Sequence, residues 1–589
     1  MIRATFAGFS TALSALQANQ KRLDITGQNL SNMNTVGYTR QQLETSSLNY
    51  TGAISHYMNG SEVSVGFGTS IDRVSQIRDP YLDAQYRLQM TKSSYSSSMQ
   101  ESLDSLANIL DESNISGIRQ AFDNIQSTLT NMQDTPNAND LIYESELRSR
   151  MQALTNLLNS ASQHITDSEK AEYDKLNGDG TSEQGAVQKV NDILRQLGDL
   201  NVQIKKNQVL GQPSLELMDE RNVLLDELSS YVPIEVTYFK DEKHSGTYEY
   251  TYANGTKEIR DRMYDYDKNG NIIGKRNWPD DMRVELLYTD TKGNPQRLTL
   301  VNGSNLGADG QQKNYGELTA VNADRSDPTA LGIQFSAAPS TAAAGAAAAT
   351  TTASASGSQF ESGSIQSGLD MLGKAGTGNL VPNTNTLDDV RGYEYYRGKL
   401  DNLAKSFATV MNKLNNQYKD ADGNTAGNLF AAKDGATDIT AGNIGISTGW
   451  IDGTVHVSTN GRPTGGSPTD TILNMLNAMT KPYGSAEDID GDGVIDDVNL
   501  ENKSFADYMN NVSTILANDS SSNQVALKTN VTVLNGVQDS RDSVSGVSMD
   551  EEATNMMTYV SAYNAASRLM TAMDEVLNTL INSTGLVGR

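Results

Sequence analysis

Apolar residues recur at alternating steps of three and four along the first thirty residues, at Phe6, Phe9, Leu13, Leu16, Leu23 and Leu30, with Gln20 and Gly27 filling the remaining positions. That spacing keeps one stripe of a helix turned toward a partner and predicts a heptad seam. The far end of the chain repeats it through Met556, Val560, Tyr563, Ser567, Met570, Leu577 and Ile581, with Asp574 interrupting the stripe. Most amphipathic helices simply pack on their own domain. Here the seams sit at both extremes of the chain, where ends usually fray, and positions 20, 27, 567 and 574 are polar or small. This predicts two terminal helices paired as an α-helical coiled coil, with a shallow seam that neighbouring subunits complete.

Between the ends the period changes twice. From about 85 to 232 it stays helical, as in Met99, Leu103, Leu106 and Leu110 or Val187, Val190, Ile193, Leu194 and Leu197, which predicts a helical bundle core. After Val232-Pro233 it becomes two, through Ile234, Val236 and Tyr238, then Tyr248, Tyr250 and Tyr252, then Val284, Leu286 and Tyr288, then Leu298 and Leu300. These runs predict an inserted β-rich domain. The Ala-, Ser-, Thr- and Gly-rich run 336–358 reads as a flexible loop or linker, because its side chains are too small to bury much area. Helical spacing returns at Tyr393–Tyr418 and Phe505–Val537, around a Gly-, Asn- and Asp-rich stretch. The fold class expected is mainly α with inserted β-rich domains. Its divisions are 1–40 plus 550–589 as the terminal coiled coil; 41–232 plus 361–435 plus 501–549 as the bundle core; 233–360 as the β-rich insert; and 436–500 as a second, Gly/Asp-rich β-like region.

A chain of 589 residues exceeds one hydrophobic core and agrees with several domains. Against 46 Lys and Arg stand 72 Asp and Glu, a formal net charge of -26, which repels nucleic acid and anionic membrane alike. With no cysteine, disulfides, thiolate metal sites and a cysteine nucleophile are excluded. No secretory signal run opens the sequence, and no window approaches the roughly eighteen apolar residues of a membrane span.

Candidate chemistry is sparse. His56, His164, His244 and His456 lie far apart with no zinc-ligand spacing, and neither a GxSxG elbow nor a Walker loop is present, so no enzyme is expected. In so acidic a chain, the pair Asp219-Glu220 reads as a solvated helix face. One segment is sharper: Asp488, Asp490, Asp492 and Asp496 fall on positions 1, 3, 5 and 9 of a calcium loop with Gly493 at 6. Position 12, however, is Asn499 where a bidentate Glu would be expected. The loop is therefore either a weak calcium site or an acidic turn. Asp265-Tyr266-Asp267-Lys268-Asn269-Gly270 starts alike but reaches Arg276, and reads as a hairpin turn.

The stretch from Ile25 through Gly27-Gln28-Asn29-Leu30-Ser31-Asn32 to Gly37-Tyr38-Thr39-Arg40 closely resembles the N-terminal signature of the axial proteins of the bacterial flagellum. Its Asn, Ser, Thr and Gly groups also suit a helix end and a tight turn. Arg541-Asp542-Ser543-Val544-Ser545-Gly546-Val547-Ser548-Met549-Asp550-Glu551-Glu552 looks like the pattern of hook-associated members of that family, and reads as a helix start with Ser548 or Asp550 as cap. Further similarity runs through Gly66–Asp83, Leu217–Ser229 and Gly392–Asn415.

What the resemblance implies is a structural subunit that self-associates in a ring between hook and filament. Its implied partners are the hook protein, the next hook-associated protein and an export chaperone at the C-terminal helix. It also implies type III export to the cell exterior without a cleavable signal. The competing readings are a hook or rod protein, and an extracellular adhesin acting through its inserted β domains.

Overall fold

The structure is a computed structural model that describes residues 7–583 except 49–67, 111–114, 139, 182–183, 211, 213, 241–246, 253–254, 262–263, 269, 276–279, 290–293, 305–312, 340–349, 355–361, 374–389, 463–464 and 486. Phe6, His56, His244 and most of the Ala-rich run lie outside the described residues.

The chain opens with α1 (Ala7–Ser31) and a hairpin of β1 (Gln41–Ser47) and β2 (Thr69–Gln76), in which Gln41 faces Gln76 and Ser47 faces Thr69. Six helices follow: α2 (Pro80–Leu110), α3 (Ile115–Asn131), α4 (Thr135–Ala138), α5 (Leu141–Asn177), α6 (Ala186–Val209) and α7 (Leu215–Tyr231). The β insert holds β3 (Ile234–Phe239), β4 (Thr247–Thr251), β5 (Lys257–Asp261), β6 (Tyr264–Tyr266), β7 (Ile272–Lys275), β8 (Asp281–Thr289), β9 (Pro295–Asn302), β10 (Leu318–Val321), β11 (Gly332–Ser336) and β12 (Thr350–Ser354). The chain then returns through α8 (Ser364–Gly373), α9 (Tyr393–Asn416), β13 (Phe430–Ala432), β14 (Ile444–Ile446), α10 (Thr448–Asp452) and α11 (Asp470–Thr480) to two long helices, α12 (Phe505–Ser545) and α13 (Met549–Ser583).

Helical spacing builds the core as expected. Leu147, Met151, Leu154, Leu158, Ala161 and Ile165 on α5 are all fully buried. Phe122, Phe407, Phe430 and Phe505 bring α3, α9, β13 and α12 together, with ring centroids 5.3–5.8 Å apart. Each such side chain contributes about 1.5–3 kcal/mol by leaving water. The insert is a mosaic of small antiparallel sheets, β3-β8-β9 and β10-β11-β12 beside the hairpins β4-β5 and β6-β7. Period two marks β3, β8 and β9, whose Val284, Leu286, Leu298 and Leu300 join the common core. The tyrosines of β4 do not join it; Tyr250 of β4 and Tyr252 just past its end instead stack around the Arg260 guanidinium, 3.8 and 5.1 Å from the ring centres. The hairpin expected at 265–270 is β6-β7.

Three expectations are corrected. Residues 436–500 are not β-like: among the described residues they hold one three-residue strand, β14, and two helices. The reason is Ile472, Met475, Ala478 and Met479, a short apolar stripe at helical spacing that buries itself. Residues 41–76, assigned to the bundle, include a β hairpin. Thr350–Ser354, within the supposed linker, pairs as β12 along β11, for which β-branched threonines suffice.

One core carboxylate predicts a pH effect. Glu172 is buried, accepts from the Ser102 hydroxyl at 2.9 Å, and has as its one cation among the described residues the half-exposed Lys175 ammonium at 3.5 Å. Burial holds its carboxyl above the usual range. A carboxyl raised in the fold favours the protonated state, so its contribution is largest in acid and is lost as pH rises through the folded pKa. Glu172→Gln keeps the acceptor and removes the charge. Thermal melts should show it matching the parent near pH 4 and exceeding it by about 1 kcal/mol at pH 7. A variant less stable than the parent at pH 7 would contradict this.

Candidate functional site: the terminal helix pair and its joint

The two chain ends meet. A side chain at Gly8 would strike Met573, and the Arg22 guanidinium lies 5.6 Å from the Tyr559 ring centre. These contacts fix α1 and α13 antiparallel and set Ala15 level with Ala566. α1 rests its other flank on the β1-β2 hairpin, where the Thr69 N–H donates to Ser14 Oγ (3.2 Å) and Arg22 donates to Thr45 Oγ1 (3.0 Å).

The residues buried along α1 are Ala12, Ala18, Asn19, Ile25, Thr26 and Asn29, and on α13 they are Glu552 and Ala566. Apart from Ile25 these buried positions are small or polar groups, and the large apolar positions foreseen from periodicity lie beside them. Phe9, Leu16, Leu23, Leu30, Met556, Met570 and Leu577 are half-buried, while Leu13, Val560, Tyr563 and Ile581 are exposed, Leu13 at 49% and Ile581 at 66%. Leu569 and Val576, which periodicity did not single out, are exposed on α13 as well. Small groups let the backbones approach closely and leave Leu13, Val560, Tyr563, Leu569, Val576 and Ile581 exposed around the pair.

Below the pair the chain turns through the signature. Asn29 donates from its amide to the Gln41 carbonyl and accepts from the Gln41 N–H, both at 3.0 Å, and also accepts from the Tyr38 hydroxyl at 2.8 Å. The end of α1 is thereby stitched to the start of β1. Gly37 has φ +79°, and a side chain there would strike Val223 of α7. Thr39 then donates from both its N–H (3.2 Å) and its hydroxyl (2.5 Å) to the Asp219 carboxylate. Asp219 is therefore not part of a solvated helix face, as its sequence context suggests; it is buried, and burial raises its carboxyl against the lowering effect of the Thr39 bonds.

Around Thr39 an ionic cluster closes. Arg78 grips Asp83 through both Nε and Nη2 (3.0 and 2.9 Å) and donates from Nη1 to Thr39 Oγ1 (3.1 Å). Arg541, at the end of α12, bridges Asp83 (3.0 Å) and Asp226 (2.7 Å), and Arg87 takes the other oxygen of Asp226 (2.9 Å). Burial alone would raise Asp83, but the Arg78 bonds and the charges of Arg78, Arg87 and Arg541 outweigh it and hold the carboxyl below its ordinary range. Arg40 reaches α13, donating to Glu552 (3.0 Å) and Glu551 (2.7 Å), while its N–H donates to the carbonyl of Ser545 (2.9 Å). Ser548 caps α13 through the Glu551 N–H at 3.5 Å. Four of the stretches that carry the sequence resemblance, near residues 29–40, 78–83, 219–226 and 541–552, thus converge on one joint.

The acidic loop forms a compact cluster in which carboxylate oxygens of Asp488, Asp490 and Asp496 lie within 4.8 Å of one another. The Lys413 ammonium stands among them, 2.9 Å from Asp496 and 3.5 Å from both Asp490 and Asp492. Asp488 accepts the N–H groups of Gly491 and Gly493, Asp497 turns to Lys405, and Asn499 caps the Glu501 N–H. Of the remaining histidines, His164 is exposed on α5 and His456 places Nδ1 3.1 Å from Glu144. No helix among the described residues is long and apolar enough to cross a membrane.

The same regions match known proteins. Residues 103–430 match the family model described as flagellar hook-associated protein FlgK helical domain, residues 9–39 that of the flagella basal body rod protein, and residues 539–583 that of the flagellar basal body rod FlgEFG protein C-terminal. Flagellar hook-associated protein 1 of Bacillus subtilis is 28% identical over 592 aligned residues, covering 99% of each chain. Its namesakes in Escherichia coli and Salmonella typhimurium are each 28% identical, over 42% and 41% of either chain. Among solved structures, the flagellar hook junction protein FlgK of Burkholderia pseudomallei aligns at a TM-score of 0.37 and 20% identity, over 59% of this chain and 46% of its own. With the helical-domain match spanning more than half of its length, the chain belongs to the flagellar hook-associated protein FlgK family.

Proposed function

We propose that the chain assembles into the bacterial flagellum by offering the uncovered apolar faces of α1 and α13 to neighbouring subunits, so that a ring of copies seats between hook and filament. A structural role at the hook-filament junction is that of its family, and the helical-domain match favours this over a rod or hook protein. The observation that carries the assembly reading is the exposure of Leu13, Val560, Leu569, Val576 and Ile581 on a helix pair whose buried positions are mostly small or polar. Before assembly such a face needs cover, which supports an export chaperone at the C-terminal helix and passage to the cell exterior in unfolded form. We read the chain as non-catalytic.

Deletion of the chain should leave hooks without filaments. Truncations lacking 1–30 or 556–589 should remain folded, because the common apolar core contains no residue of α1 or α13. They should nonetheless fail to restore filaments. Filaments of normal length from either truncation, seen by electron microscopy, would reject the proposal.

We further propose that Lys413 takes the place of a cation in the 488–499 loop. The parent protein should then show no thermal shift with calcium. Lys413→Met should uncover a weak site with Kd of about 1 mM, giving about 1.4 kcal/mol of stabilisation at 10 mM calcium. Calcium binding by the parent at these concentrations would overturn this.

A further inference from the structure

The apolar core of the molecule stops short of its ends. It includes Met99, Leu103, Leu106 and Leu110 of α2 and Phe505 to Leu516 of α12, but no residue of α1, β1, β2 or α13. Beyond Met99 and Leu516, α2 and α12 run on together, held by a polar ladder. Asn523 donates to the Ser96 carbonyl (2.9 Å) and to Gln100 Oε1 (3.0 Å), Asn530 donates to Ser96 Oγ (3.0 Å), and Gln100 donates to Ser520 Oγ (2.8 Å).

Past this neck, two strands of chain cross to the helix pair. One is Ile77-Arg78-Asp79, between the hairpin that lies along α1 and the start of α2; the other is Gly546-Val547-Ser548 between α12 and α13. The second carries Gly546, and the turn that folds α1 back into β1 at the joint carries Gly37, which needs its positive φ. Arg40 ties the two crossings together, with its N–H on the carbonyl of Ser545 and its guanidinium on Glu551 and Glu552. Glu552 is buried, so this bond is more than a surface pair.

We infer that this joint is a hinge with Arg40 as its latch: the helix pair and the core are each folded in their own right, and the Arg40–Glu552 bridge sets the angle between them. The physical reason lies in the kind of interface. Apolar packing resists rotation through many simultaneous contacts, whereas a joint of a few directional ion pairs around two short crossings has one geometry while they hold and many once they open. A subunit built this way can take the angle its place in an assembly demands without repacking its core.

The chain has no cysteine, so two can be placed at will, as Gln20→Cys on α1 and Glu227→Cys on α7, both exposed, and spin-labelled. The parent should give one narrow distance distribution. Arg40→Gln and Glu552→Gln should each broaden it to about twice the width or more, with helix content by circular dichroism unchanged. A width unchanged in both variants would overturn the proposal, and so would a loss of helix content, since the bridge would then hold the fold and not the angle. Double electron-electron resonance on the full chain reads all of these outcomes.

Discussion

Replacing Arg78 by Met should destabilise the folded chain by about 3 kcal/mol. Arg78 sits between two buried carboxylates. It grips Asp83 with two bonds, donates to Thr39, and lies 3.8 Å from Asp219, whose carboxylate has no nearer cation among the described residues. Methionine fills much of the same space, so the loss is chiefly electrostatic: Asp83 loses its bidentate partner and keeps Arg541 with the more distant charge of Arg87, while Asp219 keeps the Thr39 donors. Breaking a buried pair from one side costs more than removing both partners. The double variant Arg78→Met/Asp83→Leu should therefore recover part of the loss. The sign with pH also follows. Asp83 is held below its ordinary value, so its contribution is present above the unfolded pKa and is lost as pH falls through the folded one. The gap between parent and Arg78→Met should narrow as pH drops below about 4. Urea denaturation at pH 7 and pH 3 measures both effects; equal gaps at the two pH values, or a double variant no better than the single, would show that the node is not held by these charges.

The largest effect on assembly should separate two neighbouring kinds of position. Ala566 is buried by α1 alone among the elements that pack closely on α13, so Ala566→Glu forces a charge into the seam between the two helices. Overpacking and an unpaired charge together cost about 3 kcal/mol or more, enough to detach a helix of marginal independent stability. Residues 549–583 should become sensitive to protease and helix content should fall. Leu13→Asp acts differently. Its side chain is exposed in the protomer, so the monomer should melt as the parent does, while filament formation should be lost because the charge is buried only between subunits. If Leu13→Asp unfolded the helix pair, or supported normal filaments, the division between inner seam and outer face would be wrong.

Much of the architecture could be read from periodicity, because a long amphipathic helix must bury its stripe somewhere and a period of two must lie on a sheet. The bundle helices, β3, β8 and β9, and the pairing of the two chain ends are of this kind. The heptad stripe indicated which residues avoid water, yet not which neighbour covers them. Nothing in the spacing of Leu13, Leu16 and Leu23 distinguishes a partner in the same chain from one in the next, and here the intramolecular seam runs through Ala12, Asn19 and Ala566 instead. Residues 436–500 show the opposite failure: glycine and aspartate dominated the local composition and hid the short stripe of α11.

The joint was almost invisible in advance. Asp219 has the look of a solvent-facing carboxylate within α7, and only packing places it beneath Thr39, 180 residues away. By itself the sequence determined the elements, the acidic and cysteine-free surface, and the motifs that mark the family, since these depend on local periodicity and residue type. Tertiary structure alone decided that four of those motifs meet at one ionic joint, that Lys413 stands among the carboxylates of the acidic loop, and that Leu13, Val560, Tyr563 and Ile581 stay exposed beside the terminal helix seam. Charges and hydrogen bonds act over a few ångströms in space, and no one-dimensional pattern records which distant residues will come within that reach.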